Sequence, residues 1–263
     1  MALSLSSLRV RTGGSKPPII AIYGPGGVGK TTLASEFPSP IFLQTEDGGG
    51  NLTLTTFADE PLRDMGQINE ALELLATQDH QFRTLVVDSV TRLEPVVWAE
   101  TCRMHGWKSI EDAGYGKGYV EADAVWRDFL AGLTWLRDNK GMTIVLIGHE
   151  AVEAFNDPTT ESYNRYTMRL HKRAEALIRE QVDVLGFMNQ ITTIRKEKGG
   201  FNKETSKATG GGQVALNVAP RPSFQAKNRF DMPAMVLVNK GQGYSALAPY
   251  LPGQSAGEPA KAA

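Results

Sequence analysis

The sequence has almost no cysteine and no long apolar segment. Cys102 is the only cysteine among 263 residues, so an internal disulfide and a multi-cysteine metal site are excluded. A chain of this kind is typical of a reducing compartment. No run of about 18 apolar residues occurs, and no apolar leader segment follows Met1. We therefore expect a soluble, cytoplasmic protein without membrane contact.

The chain also has no excess of charge of either sign. Its formal net charge is -1 at pH 7, so any contact with nucleic acid must come from local loops rather than from a general basic field. With 41% hydrophobic residues, the chain is long enough to form one large domain with a full core.

A glycine-rich motif follows the first apolar run, Ile19 to Tyr23. Residues Gly24 to Thr31 match G-x-x-x-x-G-K-[ST] completely, the pattern of a loop whose backbone N–H groups surround a β-phosphate at a helix N-terminus. We expect Lys30 to reach the β- and γ-phosphates and Thr31 to bind Mg²⁺. The cofactors predicted are thus ATP and Mg²⁺, and the predicted nucleotide-binding residues are Gly24, Pro25, Gly26, Gly27, Val28, Gly29, Lys30, Thr31 and Thr32.

Apolar strands alternate with helical patterns along the first 150 residues. This order predicts an α/β fold with a twisted, mostly parallel sheet and helices on both faces, and ligands at the carboxyl ends of the strands. The predicted strands are 19–23, 41–44, 84–88 and 143–147, and the predicted helical segments are 31–36, 68–75 and 120–137.

The remaining segments are less regular. Residues 151–166 are polar and suggest turns, 167–181 a basic helix and 182–195 a strand, while 195–213 fits either a hairpin with a long loop or a mobile segment. We expect a flexible arm over 1–17, one ATPase domain over 18–250 and a disordered tail over 251–263.

Two carboxylates are candidates for the chemistry. Asp88 ends a buried strand and is predicted to organise Mg²⁺. Ser89 follows it where many P-loop ATPases carry a glutamate, so the base that activates water must lie elsewhere. Glu46, after the second strand, is the best candidate, with Asp47 as the rival and a plain acidic turn as the alternative.

The segment Leu85 to Val90, followed by Leu93, resembles the Walker B region of RecA-family recombinases. Glu46 matches the place of that family's catalytic glutamate. His149, at the end of a strand, stands where the family carries a polar γ-phosphate sensor, usually Gln or Asn. The resemblance implies a RecA-like P-loop NTPase core, and the histidine is a departure from the family pattern.

Lys227 and Arg229 lie two residues apart, which places them on one face of a strand. The pair resembles the Lys-x-Arg of RecA-like hexameric helicases. That resemblance implies that both residues complete the site of a neighbouring subunit in a ring or filament of identical chains, with Arg229 as the arginine finger. A solvated edge strand is the alternative.

The short chain further resembles phage RecA-like recombination proteins that act with single-strand binding protein. This resemblance implies that the protein is phage-encoded and is located in the cytoplasm of the host. Single-stranded DNA is then expected near 151–165 and near 196–213, where lysines are interleaved with Phe201. Arg165, Arg169, Lys172 and Arg173 favour a solvated helix face instead. Other functions stay open, namely a small-molecule kinase and an ATP-gated scaffold with little turnover.

Overall fold

The computed structural model describes residues 16–158, 161–199 and 203–252. Nine strands form one mixed sheet in the order β2-β3-β4-β1-β6-β7-β9, with β5 paired to β4 and β8 paired to β6. The strands β1, β2, β3, β4 and β6 run parallel, and the others are antiparallel to their partners. The strand bounds are β1 Ile19–Gly24, β2 Pro40–Gln44, β3 Thr84–Asp88, β4 Thr143–Phe155, β5 Tyr163–Met168, β6 Val184–Gly199, β7 Lys203–Asn217, β8 Lys227–Asn228 and β9 Met235–Val238.

Helices cover both faces of this sheet, as the sequence predicts. Their bounds are α1 Lys30–Ser35, α2 Met65–Thr77, α3 Val90–His105, α4 Lys117–Lys140, α5 Lys172–Gln181 and α6 Gly243–Leu247, the last followed by a 3₁₀ turn Ala248–Tyr250. The alternation along β1 shows the two layers: Ile19, Ala21 and Tyr23 join the core under α2 to α5, whereas the residues between them join the core under α1 and α6.

Helix α3 is an element that the sequence analysis left out. It starts at the N-cap Ser89, whose side chain accepts a hydrogen bond from the backbone N–H of Arg92. Val90, Leu93 and Val97 are buried at helical spacing, so the sequence does contain the apolar pattern of a helix. Pro95, a residue that usually interrupts helices, lies inside it. The helix begins directly after β3, at the end of the strand that carries Asp88. Because the helix was not predicted, the residues that it contributes near the site were not predicted either.

The prediction of a turn-rich segment over 151–166 is wrong. Strand β4 continues to Phe155 and pairs with β5 in an antiparallel hairpin. The guanidinium of Arg165 lies 3.8 Å from the centroid of the Phe155 ring, a contact across the hairpin that stabilises it. The predicted basic helix begins at Lys172 rather than at residue 167, because Thr167 and Met168 still pair with β4.

A second hairpin is formed by β6 and β7, whose pairing extends from Phe187 and Asn217 to Gly199 and Lys203. Of the two interpretations of 195–213, the hairpin is therefore confirmed, but its expected long loop is not, because the pairing continues to Gly199 and Lys203. The side chains of 192–211, including Lys196, Lys198, Lys203 and Lys207, lie outside the described residues, as does Phe201. The same holds for most of the predicted N-terminal arm and C-terminal tail, that is, for 1–15 and 253–263.

Candidate nucleotide-binding site

The glycine-rich motif forms the turn between β1 and α1. Gly24, Gly27 and Gly29 have φ angles of 156°, 74° and 100°, a region that side chains with a Cβ rarely adopt. A Cβ on Gly24 would lie 2.0 Å from the carbonyl oxygen of Met188 on β6. The loop therefore needs glycine for its conformation and, at Gly24, also for the close approach of the neighbouring strand.

Lys30 begins α1 and is almost fully buried, with 6% of its surface exposed. Its ammonium donates to the backbone carbonyls of Gly24 and Pro25 at 2.7 and 2.8 Å. Burial lowers the pKa of Lys30, and the carboxylates of Glu150, Asp88 and Glu46 oppose this change. The lysine thus closes the loop on itself and has its third N–H left for a phosphate oxygen in the same place.

The hydroxyl of Thr31 donates to the carboxylate of Asp88 at 2.8 Å. Asp88 is 3% exposed, and burial raises its pKa while the hydrogen bond from Thr31 lowers it. Two neighbouring oxygen ligands suit Mg²⁺, which usually takes only one or two protein ligands beside phosphates and water. Among the described residues no cluster of three or more His, Cys, Asp or Glu side chains could hold a metal by itself. The hydroxyl oxygen of Thr31 and the carboxylate of Asp88 fit Mg²⁺ that is bound together with a nucleotide.

Glu46 and His149 meet in the same cleft although they lie on different strand ends. The imidazole Nε2–H donates to Oε1 of Glu46 at 2.8 Å, and Nε of Arg92 lies 3.4 Å from its Oε2. Burial raises the pKa of Glu46, but hydrogen bonds from His149 and Ser89, with the nearby charges, lower it overall to about 2. Glu46 is therefore ionised at neutral pH.

Helix α3 fixes the histidine as well as the glutamate. The backbone N–H of His149 donates to the hydroxyl of Thr91 at 3.0 Å, and Arg92 comes from the next position of the same helix. The sequence analysis missed both α3 residues because it left the helix out.

These groups line one cleft of about 510 Å³ at the carboxyl ends of the parallel strands. It brings together Gly26, Gly27 and Gly29 of the glycine loop, Lys30, Thr31, Thr32, Asp88, Glu46 and His149, together with the rival acid Asp47. The predicted binding residues Gly24, Pro25 and Val28 do not line it. Two further parts of its wall were not expected from the sequence, namely the loop from Gly48 to Leu52 and Lys240. A slightly larger cleft, of about 550 Å³ between α4 and α5, contains none of the motif residues.

Lys227 and Arg229 lie away from this cleft. The ammonium of Lys227 donates to the last carbonyls of α5, those of Arg179 and Glu180, and Arg229 donates to Asp183 at 3.1 Å. Asp183 also accepts the backbone N–H of Ile19, at the end of β1 opposite to the glycine loop. The two cations therefore do not reach the nucleotide cleft of their own chain, and their role in a neighbour's site stays a prediction.

The phosphate loop, the Thr31–Asp88 pair and the strand order define a P-loop NTPase of the RecA/AAA class. The chain belongs to the family described as AAA domain, which matches residues 16–230.

Three similar proteins complete the comparison. A SPbeta prophage-derived uncharacterized protein of Bacillus subtilis (strain 168), YorG, is 24% identical over 144 residues, which cover 52% of this chain and 42% of that protein. The crystal structure of the RadB recombinase superposes with a TM-score of 0.46 at 16% identity, over 88% of this chain and 91% of that one. The flagellar accessory protein FlaH from Methanocaldococcus jannaschii gives a TM-score of 0.40 at 12% identity, over 86% and 87% of the two chains.

Within the described part of the chain, none of the helices combines the length and the apolar character needed to cross a bilayer.

Proposed function

We propose that the protein binds and hydrolyses Mg-ATP and uses this cycle to act on single-stranded DNA in phage-type recombination or annealing. The observation that carries the hydrolytic part is the meeting of Glu46 and His149 in the cleft formed by the phosphate loop and the Thr31–Asp88 pair. A phosphate-binding loop alone would support binding, whereas an ionised carboxylate beside it supports hydrolysis.

Glu46 is the proposed acceptor of the proton of the attacking water. Its low pKa keeps it ionised, but it also makes the carboxylate a weak base while His149 and Arg92 are bound to it. In the proposal, His149 donates to a γ-phosphate oxygen when ATP occupies the cleft, and Glu46 then becomes available to the water. Mg²⁺, held by Thr31 and Asp88, would supply charge neutralisation at the phosphates.

Single-stranded DNA is the proposed partner because two hairpins leave the sheet on the side of the cleft. Strand β4 passes from His149 directly into the β4–β5 hairpin, and β6 runs beyond the end of β1 into the β6–β7 hairpin. A movement of His149 on nucleotide binding would also move the start of the first hairpin, because both belong to β4. The similarity to a prophage-derived protein supports the phage-type setting, and single-strand binding protein is the proposed companion.

Lys227 and Arg229 are proposed to act on the nucleotide of a neighbouring copy, which requires a ring or a filament. Both lie at the opposite end of β1 from the chain's own phosphate loop, as a residue serving the next subunit in a head-to-tail assembly can do. Arg229 is about half exposed, so its ion pair with Asp183 costs little to break.

The test is the rate of ATP hydrolysis with and without single-stranded DNA, with Lys30→Ala as the inactive control. We expect stimulation by DNA in the wild type and loss of hydrolysis in the variant. Hydrolysis that is indifferent to DNA would contradict the DNA part and favour a kinase or a protein-directed ATPase. Intact ATP binding without hydrolysis would contradict the ATPase and favour the scaffold.

A further inference from the structure

The cleft contains a cation that the phosphate-loop motif does not include. Lys240 lies on a tight turn after β9, in which the backbone N–H of Gln242 donates to the carbonyl of Asn239 at 2.9 Å. Gly241, the third residue of the turn, has a φ of 80°, which a glycine at this position of a turn readily adopts. The turn directs the chain so that Lys240 lines the nucleotide cleft.

Helix α1 holds this turn in place. The side chain of Glu36, at the C-cap of α1, accepts hydrogen bonds from the backbone N–H groups of Gly241 and Gly243 at 2.6 Å each and of Tyr244 at 3.1 Å. A carboxylate bound by several backbone donors is a strong and oriented anchor. The helix that begins with the phosphate-binding lysine therefore ends with the residue that positions Lys240.

The packing below the turn is tight as well. A Cβ on Gly243 would lie 2.5 Å from Cδ1 of Leu33 on α1 and 2.9 Å from Cγ1 of Val238 on β9. The rings of Phe37 and Tyr244 also pack together, with centroids 4.8 Å apart. The turn and α1 thus form one closely packed unit, so the position of Lys240 relative to the phosphate loop is fixed by both contacts.

We propose that Lys240 is a nucleotide-binding residue that contacts the nucleoside side of ATP, at the α-phosphate or the sugar, and that Glu36 positions it. This inference rests on the proposed binding of ATP in the cleft.

The order of the strands in the sheet shows from which side Lys240 approaches the nucleotide cleft. Glu46 follows β2, Asp88 ends β3 and His149 lies in β4 beside the end of β1, and these three strands lie on one side of β1. Lys240 follows β9 on the other side. The groups expected at the γ-phosphate and at Mg²⁺ thus occupy one end of the cleft, and Lys240 approaches from the opposite end. Lys240 is exposed and lines the cleft, so its ammonium can reach a ligand bound there.

The test compares the binding of ATP and of ADP to Lys240→Ala, to the charge-conserving Lys240→Arg and to wild type. Because the contact excludes the γ-phosphate, we expect Lys240→Ala to raise both dissociation constants by the same factor, roughly three- to tenfold, with a weaker effect at high salt. Lys240→Arg should recover most of the affinity. Lys172→Ala, an alanine replacement of a lysine at the start of α5, is the matched control and should bind as wild type does.

A second variant tests the positioning by Glu36. Glu36→Ala should weaken binding to a similar degree, and the double variant Glu36→Ala, Lys240→Ala should bind no more weakly than Lys240→Ala alone, since the anchor acts through the lysine. Affinities of Lys240→Ala equal to wild type, or a loss for ATP but not for ADP, would overturn the inference. Failure of the wild type itself to bind ATP would instead overturn the proposed function.

Discussion

The Glu46–His149 pair joins two strand ends that are 103 residues apart in sequence. The pair holds the glutamate ionised and in a defined position, and the backbone of His149 is in turn fixed by Thr91. Like the Gln or Asn that the RecA family usually carries at this place, a histidine can donate an N–H, and here it donates to Glu46.

The effect of a His149 substitution on ATP turnover should therefore depend on whether the new side chain can still donate a hydrogen bond. We expect His149→Ala to lower the turnover number for ATP by about 10- to 100-fold, because a hydrogen bond to a charged group contributes roughly 1.5–3 kcal/mol. His149→Gln retains an N–H donor and should keep most of the activity. Steady-state hydrolysis of the two variants decides this point, and equal activities would show that the donor is not needed.

Glu94 gives a prediction about stability and pH. It is 6% exposed, accepts the backbone N–H of His171 at 2.9 Å, and burial raises its pKa from 4.5 to about 7. An acid whose pKa is raised on folding favours the folded state at low pH, and this contribution is lost as the pH rises from 4.5 through 7. Ionisation should cost roughly 3 kcal/mol of stability above pH 7.

Glu94→Gln removes this ionisation and keeps an acceptor for His171. The free energy of unfolding of the variant, relative to wild type, should therefore improve between pH 5 and pH 8. Denaturant titrations at the two pH values measure this difference. If the free energy of unfolding differs between Glu94→Gln and wild type by the same amount at both pH values, the raised pKa of Glu94 would be contradicted.

The residues of the site were predictable to different degrees. Lys30, Thr31 and Asp88 belong to local motifs next to strong apolar strands, and the structure brings them together. Lys240 was not predictable, because it reaches the cleft only through the order of β6, β7 and β9 and through Glu36, more than 200 residues earlier in sequence.

At the scale of elements, the buried strands β1, β2 and β3 were predicted because they are continuous apolar runs covered on both faces. The β4–β5 hairpin was not, because its exposed part is polar and its strands are stabilised by pairing and by the contact between Arg165 and Phe155. The composition of one segment does not show which other segment will pair with it across a turn, so a polar hairpin of this kind is hard to predict from sequence.

Helix α4 provides a matched pair of glycines for a test of packing. A Cβ on Gly118 would lie 1.9 Å from the carbonyl oxygen of Ile110, whereas a Cβ on Gly132 would lie 3.2 Å from the flexible end of Leu72. We expect Gly118→Ala to lower stability by about 1–3 kcal/mol through overpacking. Gly132→Ala should be close to neutral, because the helix preference for alanine offsets the tighter contact. Thermal unfolding of both variants checks this, and equal melting temperatures would contradict it.

At the scale of the whole molecule, the proposed trans role of Arg229 can be tested by mixing. Arg229→Ala has an intact phosphate loop, and Lys30→Ala has an intact arginine. Each alone should be inactive, but an equal mixture should recover up to about a quarter of the wild-type rate if identical chains assemble head to tail at random. No recovery, in a mixture shown to assemble, would mean that Arg229 serves only the pair with Asp183.

The measurement that most directly tests the central claim is the turnover of ATP by Glu46→Gln beside Asp47→Asn, with ATP binding measured on the same preparations. Both acids line the cleft, but only Glu46 is bound to His149. If Glu46 activates the water, Glu46→Gln binds ATP and does not hydrolyse it, while Asp47→Asn hydrolyses at nearly the wild-type rate. Normal turnover by Glu46→Gln would contradict the account.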